Sequence, residues 1–92
     1  FTQNGIMNLR NKKWEDDFSP LDPDGTSYVD KAYSKAYLHH LFKAQELLAL
    51  QIASIHNLAF YLWLTREARR HIITGDFASW KASMVKRVAA RL

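Results

Sequence analysis

The stretch from Tyr28 to Thr74 contains neither glycine nor proline over 47 residues, and it constrains the fold more than any other feature. Without those two residues nothing interrupts a helix, and apolar side chains recur along it at helical spacing. One face at that spacing carries Val29, Tyr33, Ala36, Tyr37, His40 and Leu41. A single helix of this length would be far longer than the average helix of a small domain. We therefore predict two helices with a break near residues 43–46.

Capping residues indicate where these helices begin and end. Ser27 precedes the first helix, and Asp30 follows three residues later, in the order of a capping box. The second helix is predicted over residues 46–73, and Gly75 supplies the left-handed residue that ends it. Within that helix, Leu58–Leu64 is apolar all round, which predicts burial on most sides.

The two ends of the chain have different patterns. A third helix is predicted from Phe77 to about Arg91, with Asp76 as its N-cap. At the other end, residues 1–3 and 6–10 are predicted as two short strands around Asn4-Gly5, a dipeptide that favours a hairpin turn. Residues 11–24, with two prolines and several acids, indicate irregular chain. The predicted fold class is mainly α with a short N-terminal β-hairpin.

Composition excludes several kinds of protein. Cysteine is absent, so disulfide bonds and cysteine-ligated metals are excluded. A net charge of +4 favours an anionic partner only mildly. The longest apolar run, Leu58–Leu64, is too short to span a membrane, and no signal peptide is evident. We expect a cytoplasmic protein with no membrane contact. Because the chain starts at Phe1 rather than at Met, we also expect a segment of a longer protein.

Histidines and aspartates are the first candidates for chemistry. His39, His40 and His56 suggest a metal site, but no pair has the i,i+4 spacing of a helical zinc site. Ordinary helix histidines, one packed and one exposed, are the favoured interpretation of the adjacent pair. The acidic run contains Asp16, Asp17, Asp22, Asp24 and Asp30. Because nothing beside it supplies a nucleophile, turn and cap aspartates on a solvated loop are the favoured interpretation.

Basic residues are the candidates for nucleic-acid contact. Arg10, Lys12 and Lys13 lie next to Trp14, a pattern that can neutralise phosphates and stack a base. A solvated strand end is the alternative. The cluster of Lys86, Arg87 and Arg91 favours a solvated helix face over phosphate contact.

Four segments resemble, in order and in spacing, the C-terminal part of tRNA-guanine transglycosylases. They are Asn8–Trp14 (NLRNKKW), Ser19–Pro23 (SPLDP), Tyr33–Leu41 (YSKAYLHHL) and Ile55–Leu58 (IHNL). The resemblance covers essentially the whole chain, and the last two segments together are its specific part. It implies the C-terminal part of a (β/α)8 barrel enzyme, including the equivalent of a small zinc subdomain. Residues 1–20 would be the end-of-barrel segment and loop, 21–60 the zinc-subdomain equivalent, and 61–92 the last barrel helix and a C-terminal helix.

This sequence departs from the family's pattern at the zinc site. The family uses three cysteines of a Cys-x-Cys-x-x-Cys run and the histidine of Ile-His-Asn. The corresponding positions hold Gly25, Ser27, Asp30 and His56. Structural zinc needs four nitrogen or sulfur ligands. We therefore expect no metal and no other cofactor, with His56 hydrogen-bonded to Asp30 or Ser27 instead.

The resemblance implies a glycosyltransferase that exchanges the wobble guanine of GUN anticodons in tRNA for a 7-deazaguanine, in queuosine biosynthesis. The family's nucleophilic aspartate lies on earlier barrel strands, so no catalytic residue is assigned here and the 92-residue chain alone is expected to be inactive. The chain would supply scaffold, tRNA contact and a homodimer surface. Arg10, Lys12 and Lys13 are the tRNA candidates. The dimer candidates are Tyr33, Tyr37 and His40.

Two other functions remain open from the sequence. The chain could be a free-standing RNA-binding or dimerisation module, or part of a non-catalytic partner subunit. A reading frame that continues upstream into a barrel with the catalytic aspartates would decide between them. The sequence also leaves open which deazaguanine is used, and whether the chain is stable or dimeric alone.

Overall fold

In the computed structural model, which describes residues 1–92, the chain forms four α-helices and no β-strand. The helices are α1 (Val29–Ala32), α2 (Lys35–Lys43), α3 (Leu47–Thr74) and α4 (Phe77–Ala89). A single 3-10 turn at Lys12–Trp14 precedes them. The prediction of a mainly α fold is confirmed.

The helical region before α3 contains two breaks. The predicted break near residues 43–46 is confirmed, because α2 ends at Lys43 and Gln45 has a φ of 58°. The sequence patterns do not predict the second break, where Tyr33 is extended. There Ser34 is the N-cap of α2, and its hydroxyl accepts a hydrogen bond of 3.1 Å from the amide of Tyr37. A serine in this position competes with continuation of the preceding helix.

The irregular loop before α1 holds the start of α2 in place. The amides of Lys35 and Ala36 donate to the carbonyls of Ser19 (3.1 Å) and Asp17 (2.8 Å). These are amides that a helix cannot satisfy internally. The Lys35 ammonium is buried and donates to the carbonyl of Pro20 at 2.7 Å. The loop therefore packs closely on the helix despite its lack of regular structure.

At the junction between α3 and α4, the predicted role of Gly75 is confirmed and that of Asp76 is wrong. Gly75 ends α3 with a φ of 84°, as predicted, and its amide donates to the carbonyl of His71 at 3.0 Å. Asp76 precedes α4 but makes no side-chain cap bond. Its carboxylate instead accepts from the Thr74 hydroxyl at 2.6 Å and bonds His71 Nδ1 at 2.8 Å. It therefore stabilises the end of α3 rather than the start of α4.

The predicted N-terminal hairpin is wrong. Thr2 and Gly5 close a tight turn with two backbone hydrogen bonds of 2.9 and 3.2 Å, but no strand extends from it. Ile6 pairs instead with the C-terminal end, through its amide to Ala90 (2.7 Å) and its carbonyl to Leu92 (2.9 Å). These partners satisfy the backbone groups that a hairpin would have used.

The buried core lies at the N-terminal half of α3. Leu21, Val29, Leu38 and Ile52 form its centre, and they come from the loop, α1, α2 and α3. Each is at most 4% exposed. This arrangement brings α1, α2 and the irregular loop against the first half of α3.

Around the middle of α3 only one side of the helix is buried, which corrects the expectation for Leu58–Leu64. Leu58 and Leu62 are 62% and 56% exposed, whereas Phe60 is 5% exposed beneath the ring of Phe1. By length and composition alone, α3 as a whole is able to cross a membrane, although its longest uninterrupted apolar run is short. A mostly buried core helix meets the same criterion, but the apolar window of α3 is only 22% buried within this chain.

Candidate functional site

The imidazole of His56 connects three separate segments of the chain. His56 lies on α3, and its side chain is only 8% exposed. Its Nδ1 is hydrogen-bonded to the carboxylate of Asp30 on α1, which is 1% exposed. Its Nε2 bonds the backbone carbonyl of Phe1 at 2.5 Å. The prediction that His56 hydrogen-bonds to Asp30 or Ser27 is confirmed for Asp30.

The partners of the ring determine where its protons lie. A carbonyl oxygen only accepts, so Nε2 of His56 carries a proton and donates it to Phe1. A second proton must lie between Nδ1 and the Asp30 carboxylate, on one atom or the other. The buried pair therefore holds two protons and has no net charge, which reduces the cost of burying it.

Asp30 is bonded through both of its carboxylate oxygens. Oδ1 bonds His56, and Oδ2 accepts from the amide of Ser27 at 2.9 Å. In a capping box, the acidic residue accepts this same hydrogen bond from the backbone amide three residues before it. The hydroxyl of Ser27 is buried without a hydrogen-bond partner, so the predicted capping by Ser27 is wrong.

Asp22 is the second buried carboxylate of the site. It is 4% exposed, and its Oδ1 accepts from the amide of Asp24 at 3.2 Å. The interpretation of the acidic run as a solvated loop is therefore wrong for Asp22 and for Asp30. Burial raises the pKa of Asp22, and the neighbouring negative charges of Asp30 and Asp24 raise it further. The hydrogen bond from Asp24 and the proximity of His56 lower the pKa in part.

These residues do not fit a structural zinc site. The ligand atoms of Asp22, Asp30 and His56 lie within 4.8 Å of one another, but two of the three groups are bonded directly to each other. Gly25 offers no donor, and Ser27 offers a hydroxyl. The cavity beside them measures about 10 Å³, roughly the space of one water molecule. Zinc in structural sites is held by four thiolate or imidazole ligands, and only one such group is present.

The predicted tRNA-contact residues lie on one exposed surface. Arg10, Lys12 and Lys13 are all exposed around the 3-10 turn. Arg10 and Lys12 line an open cleft of about 430 Å³ together with Lys43 from the end of α2. Lys13 lies instead over the ring of Trp14, with its ammonium 4.8 Å from the ring centroid.

Lys43 is the residue of this cleft that sequence reasoning missed. It is distant in sequence from the basic run, and only the packing of α2 on the 3-10 turn brings it there. Glu15 and His39 line the same cleft. His39 is 4% exposed and bonds the carbonyl of Leu9 at 2.8 Å, whereas His40 is exposed. The interpretation of the adjacent histidines as one packed and one exposed is confirmed.

The predicted dimer residues lie on the outer side of α1 and α2. The rings of Tyr33 and Tyr37 stack with their centroids 5.6 Å apart. Tyr37 is 42% exposed, and His40 is exposed one turn further along α2. The structure therefore exposes Tyr37 and His40, whereas Tyr33 is half-buried against the core and contacts the ring of Tyr37.

Replacement of Asp22 by asparagine is expected to stabilise the protein at pH 7. A carboxyl whose folded-state pKa is raised contributes stability below the ordinary value of 3.8, and that contribution is lost as the pH rises through the folded-state pKa. Asparagine keeps the oxygen that accepts from Asp24 and removes the charge. Urea unfolding at pH 7 and at pH 3 measures the effect, with exposed Asp16→Asn as the control. Equal effects at both pH values would contradict this assignment.

Comparison with known proteins agrees with the resemblance noted in the sequence. A family model described as queuine tRNA-ribosyltransferase matches residues 1–90. The queuine tRNA-ribosyltransferase of Aquifex aeolicus is 42% identical over 92 residues, which is all of this chain and 24% of that relative. The enzyme of the same name from Helicobacter acinonychis is 44% identical over 87 residues, 95% of this chain and 24% of the relative.

A third relative has the same name. The queuine tRNA-ribosyltransferase of Francisella tularensis subsp. novicida is 43% identical over 81 residues, 88% of this chain and 22% of the relative. The chain thus spans about a quarter of the length of the relatives it matches. Because the family model covers nearly every residue, the chain belongs to the queuine tRNA-ribosyltransferase (tRNA-guanine transglycosylase) family and matches a C-terminal region of it.

Proposed function

We propose that this chain is the C-terminal part of a tRNA-guanine transglycosylase. The whole enzyme exchanges the wobble guanine of GUN anticodons for a 7-deazaguanine, a step of queuosine biosynthesis that takes place in the cytoplasm. The match of residues 1–90 to the family carries this proposal. By the resemblance the nucleophilic aspartate lies outside this chain, and the two buried aspartates, Asp22 and Asp30, are held in hydrogen bonds with no cleft of substrate size beside them.

The chain acts as scaffold for a (β/α)8 barrel formed by the rest of the enzyme. Residues 1–20 form the end-of-barrel segment, 21–60 the zinc-subdomain equivalent, and 61–92 the last barrel helix and a C-terminal helix. An open apolar groove of about 490 Å³ between α3 and α4 supports this role, and ten of its eleven lining residues are hydrophobic. Trp80 and Met84 of α4 and Leu64 of α3 lie in it. Most of the relatives' length lies outside the matched region, so the barrel supplies a covering surface.

The cleft at the 3-10 turn contacts the tRNA backbone. Arg10, Lys12 and Lys43 bring three positive charges to one open surface, and phosphate contacts of this kind dominate nucleic-acid affinity. Lys13 contributes from the adjacent side. The surface of Tyr33, Tyr37 and His40 forms the homodimer contact, because stacked aromatic residues are enriched at the centres of such interfaces.

The whole reading frame that contains this chain is expected to incorporate labelled guanine into tRNA with a GUN anticodon. The 92-residue chain alone is expected to give no incorporation, because it supplies no nucleophile. The assay uses tRNA with a substituted wobble base as the substrate control. Absence of exchange by the whole protein, together with tRNA binding by the isolated chain, would support a free-standing RNA-binding module instead.

Lys12→Ala in the whole enzyme is expected to reduce the salt dependence of tRNA binding. Loss of one phosphate contact lowers the slope of log K against log salt concentration by about 1. Lys86→Ala is the matched control, because Lys86 is exposed on α4, which packs on α3 and not on the 3-10 turn. An unaltered slope for Lys12→Ala would exclude that residue from the tRNA contact.

Tyr37→Ala is expected to weaken the homodimer of the whole enzyme by about 2 kcal/mol, or roughly thirtyfold in Kd. The loss follows from removal of an exposed ring that stacks on Tyr33. Tyr28→Ala is the control, since Tyr28 is 72% exposed and outside the proposed contact. Sedimentation equilibrium measures both variants, and an unchanged dimer with Tyr37→Ala would contradict the interface.

A further inference from the structure

We propose that Asp30 and His56, packed against a glycine at position 25, hold residues 21–60 together in place of a metal ion. The proposal concerns the stability of this segment and is independent of the transglycosylase activity. It rests on the hydrogen bonds of the pair, on the space at Gly25, and on the atoms that remain free to bind a metal.

The hydrogen bonds of the pair make the connections that a bound ion would make. His56 reaches Asp30, which is 26 residues away in sequence, and the carbonyl of Phe1, which is 55 residues away. The backbone carbonyl of Asp30 accepts from the amide of Asp22 at 3.1 Å, and its side chain accepts from Ser27. The loop, α1, α3 and the N-terminal segment are therefore joined through these two side chains.

Gly25 and Asp30 are complementary in shape. A Cβ atom at position 25 would lie 2.1 Å from Oδ2 and 2.8 Å from Cβ of Asp30. The φ of Gly25 lies outside the left-handed region, so its backbone conformation does not require glycine. The requirement is steric, because the carboxylate of Asp30 occupies the space that any side chain at position 25 would fill.

Few atoms of the site remain available to a metal ion. Both ring nitrogens of His56 and both carboxylate oxygens of Asp30 are engaged in hydrogen bonds. Among Asp22 and the residues at the four zinc positions, two side-chain atoms that could bind a metal have no hydrogen bond. They are the second carboxylate oxygen of Asp22 and the hydroxyl of Ser27. Two oxygen atoms are too few for structural zinc, and binding would require the pair to separate.

Hydrogen exchange read by mass spectrometry tests the proposal locally in the whole protein. Peptides covering residues 21–60 are expected to exchange at the same rate with EDTA, without it, and with one added equivalent of zinc. His56→Ala is expected to accelerate their exchange by at least about tenfold, because it leaves the Oδ1 atom of the buried Asp30 carboxylate without a partner. Slower exchange with zinc, or faster exchange with EDTA, in the unmodified protein would overturn the proposal.

A double-mutant cycle tests the fit between Gly25 and Asp30. Gly25→Ala alone is expected to accelerate exchange by about tenfold, because the added methyl group displaces the carboxylate. In the Asp30→Ala background the same change is expected to add less than about twofold, since the carboxylate is gone. Equal effects of Gly25→Ala in both backgrounds would overturn the steric part of the proposal.

Discussion

The arrangement of this chain depends on one buried imidazole. Both nitrogens of His56 are used, one by the Asp30 carboxylate and the other by the carbonyl of Phe1. The core residues Leu21, Val29 and Ile52 lie in the segments that these bonds join. An apolar core of this size gives little stability, so a satisfied polar pair that fixes its geometry has a large influence. Loss of either side chain would leave one polar atom of the other, Oδ1 of Asp30 or Nδ1 of His56, buried without its hydrogen bond, which is costly.

The distribution of burial along α3 connects this local structure to the proposed function. The first half of α3 is covered by α1, α2 and the loop, whereas the second half presents apolar side chains to an open groove beside α4. Exposed apolar surface of this extent is typical of a surface that another part of a protein covers. The match to a quarter of much longer relatives agrees with the proposal that the rest of the protein covers this groove. The basic cleft and the stacked tyrosines, the proposed contacts for tRNA and for a second subunit, lie away from this groove.

Local signals predict the two long helices but not every helix end, since they do not predict the start of α2 at Ser34, and Ser27 and Asp76 do not cap the helices that they precede. The extents of α3 and α4 and the cap at Gly75 follow from periodicity and from the conformational freedom of glycine. The prediction of a hairpin is wrong because Ile6 pairs with the distant residues Ala90 and Leu92, and no local pattern indicates that pairing. The burial of Asp22 is not predicted for the same reason. Buried and exposed turn aspartates have the same local sequence pattern, and only the packing of α3 distinguishes them. The Asp30–His56 pair was found only because the resemblance aligned both positions.

Nitrogen-15 NMR of the His56 ring, recorded before and after addition of one equivalent of zinc, shows whether the Asp30–His56 pair holds its protons in the presence of a metal. A proton is expected on Nε2 and a second, strongly hydrogen-bonded proton between Nδ1 and Asp30, both exchanging slowly and unchanged by zinc. Loss of either proton signal on addition of zinc, with the shift of a metal-bound nitrogen, would mean that the metal separates the pair. The site would then be a metal centre with unusual ligands, and the pair would not be its replacement.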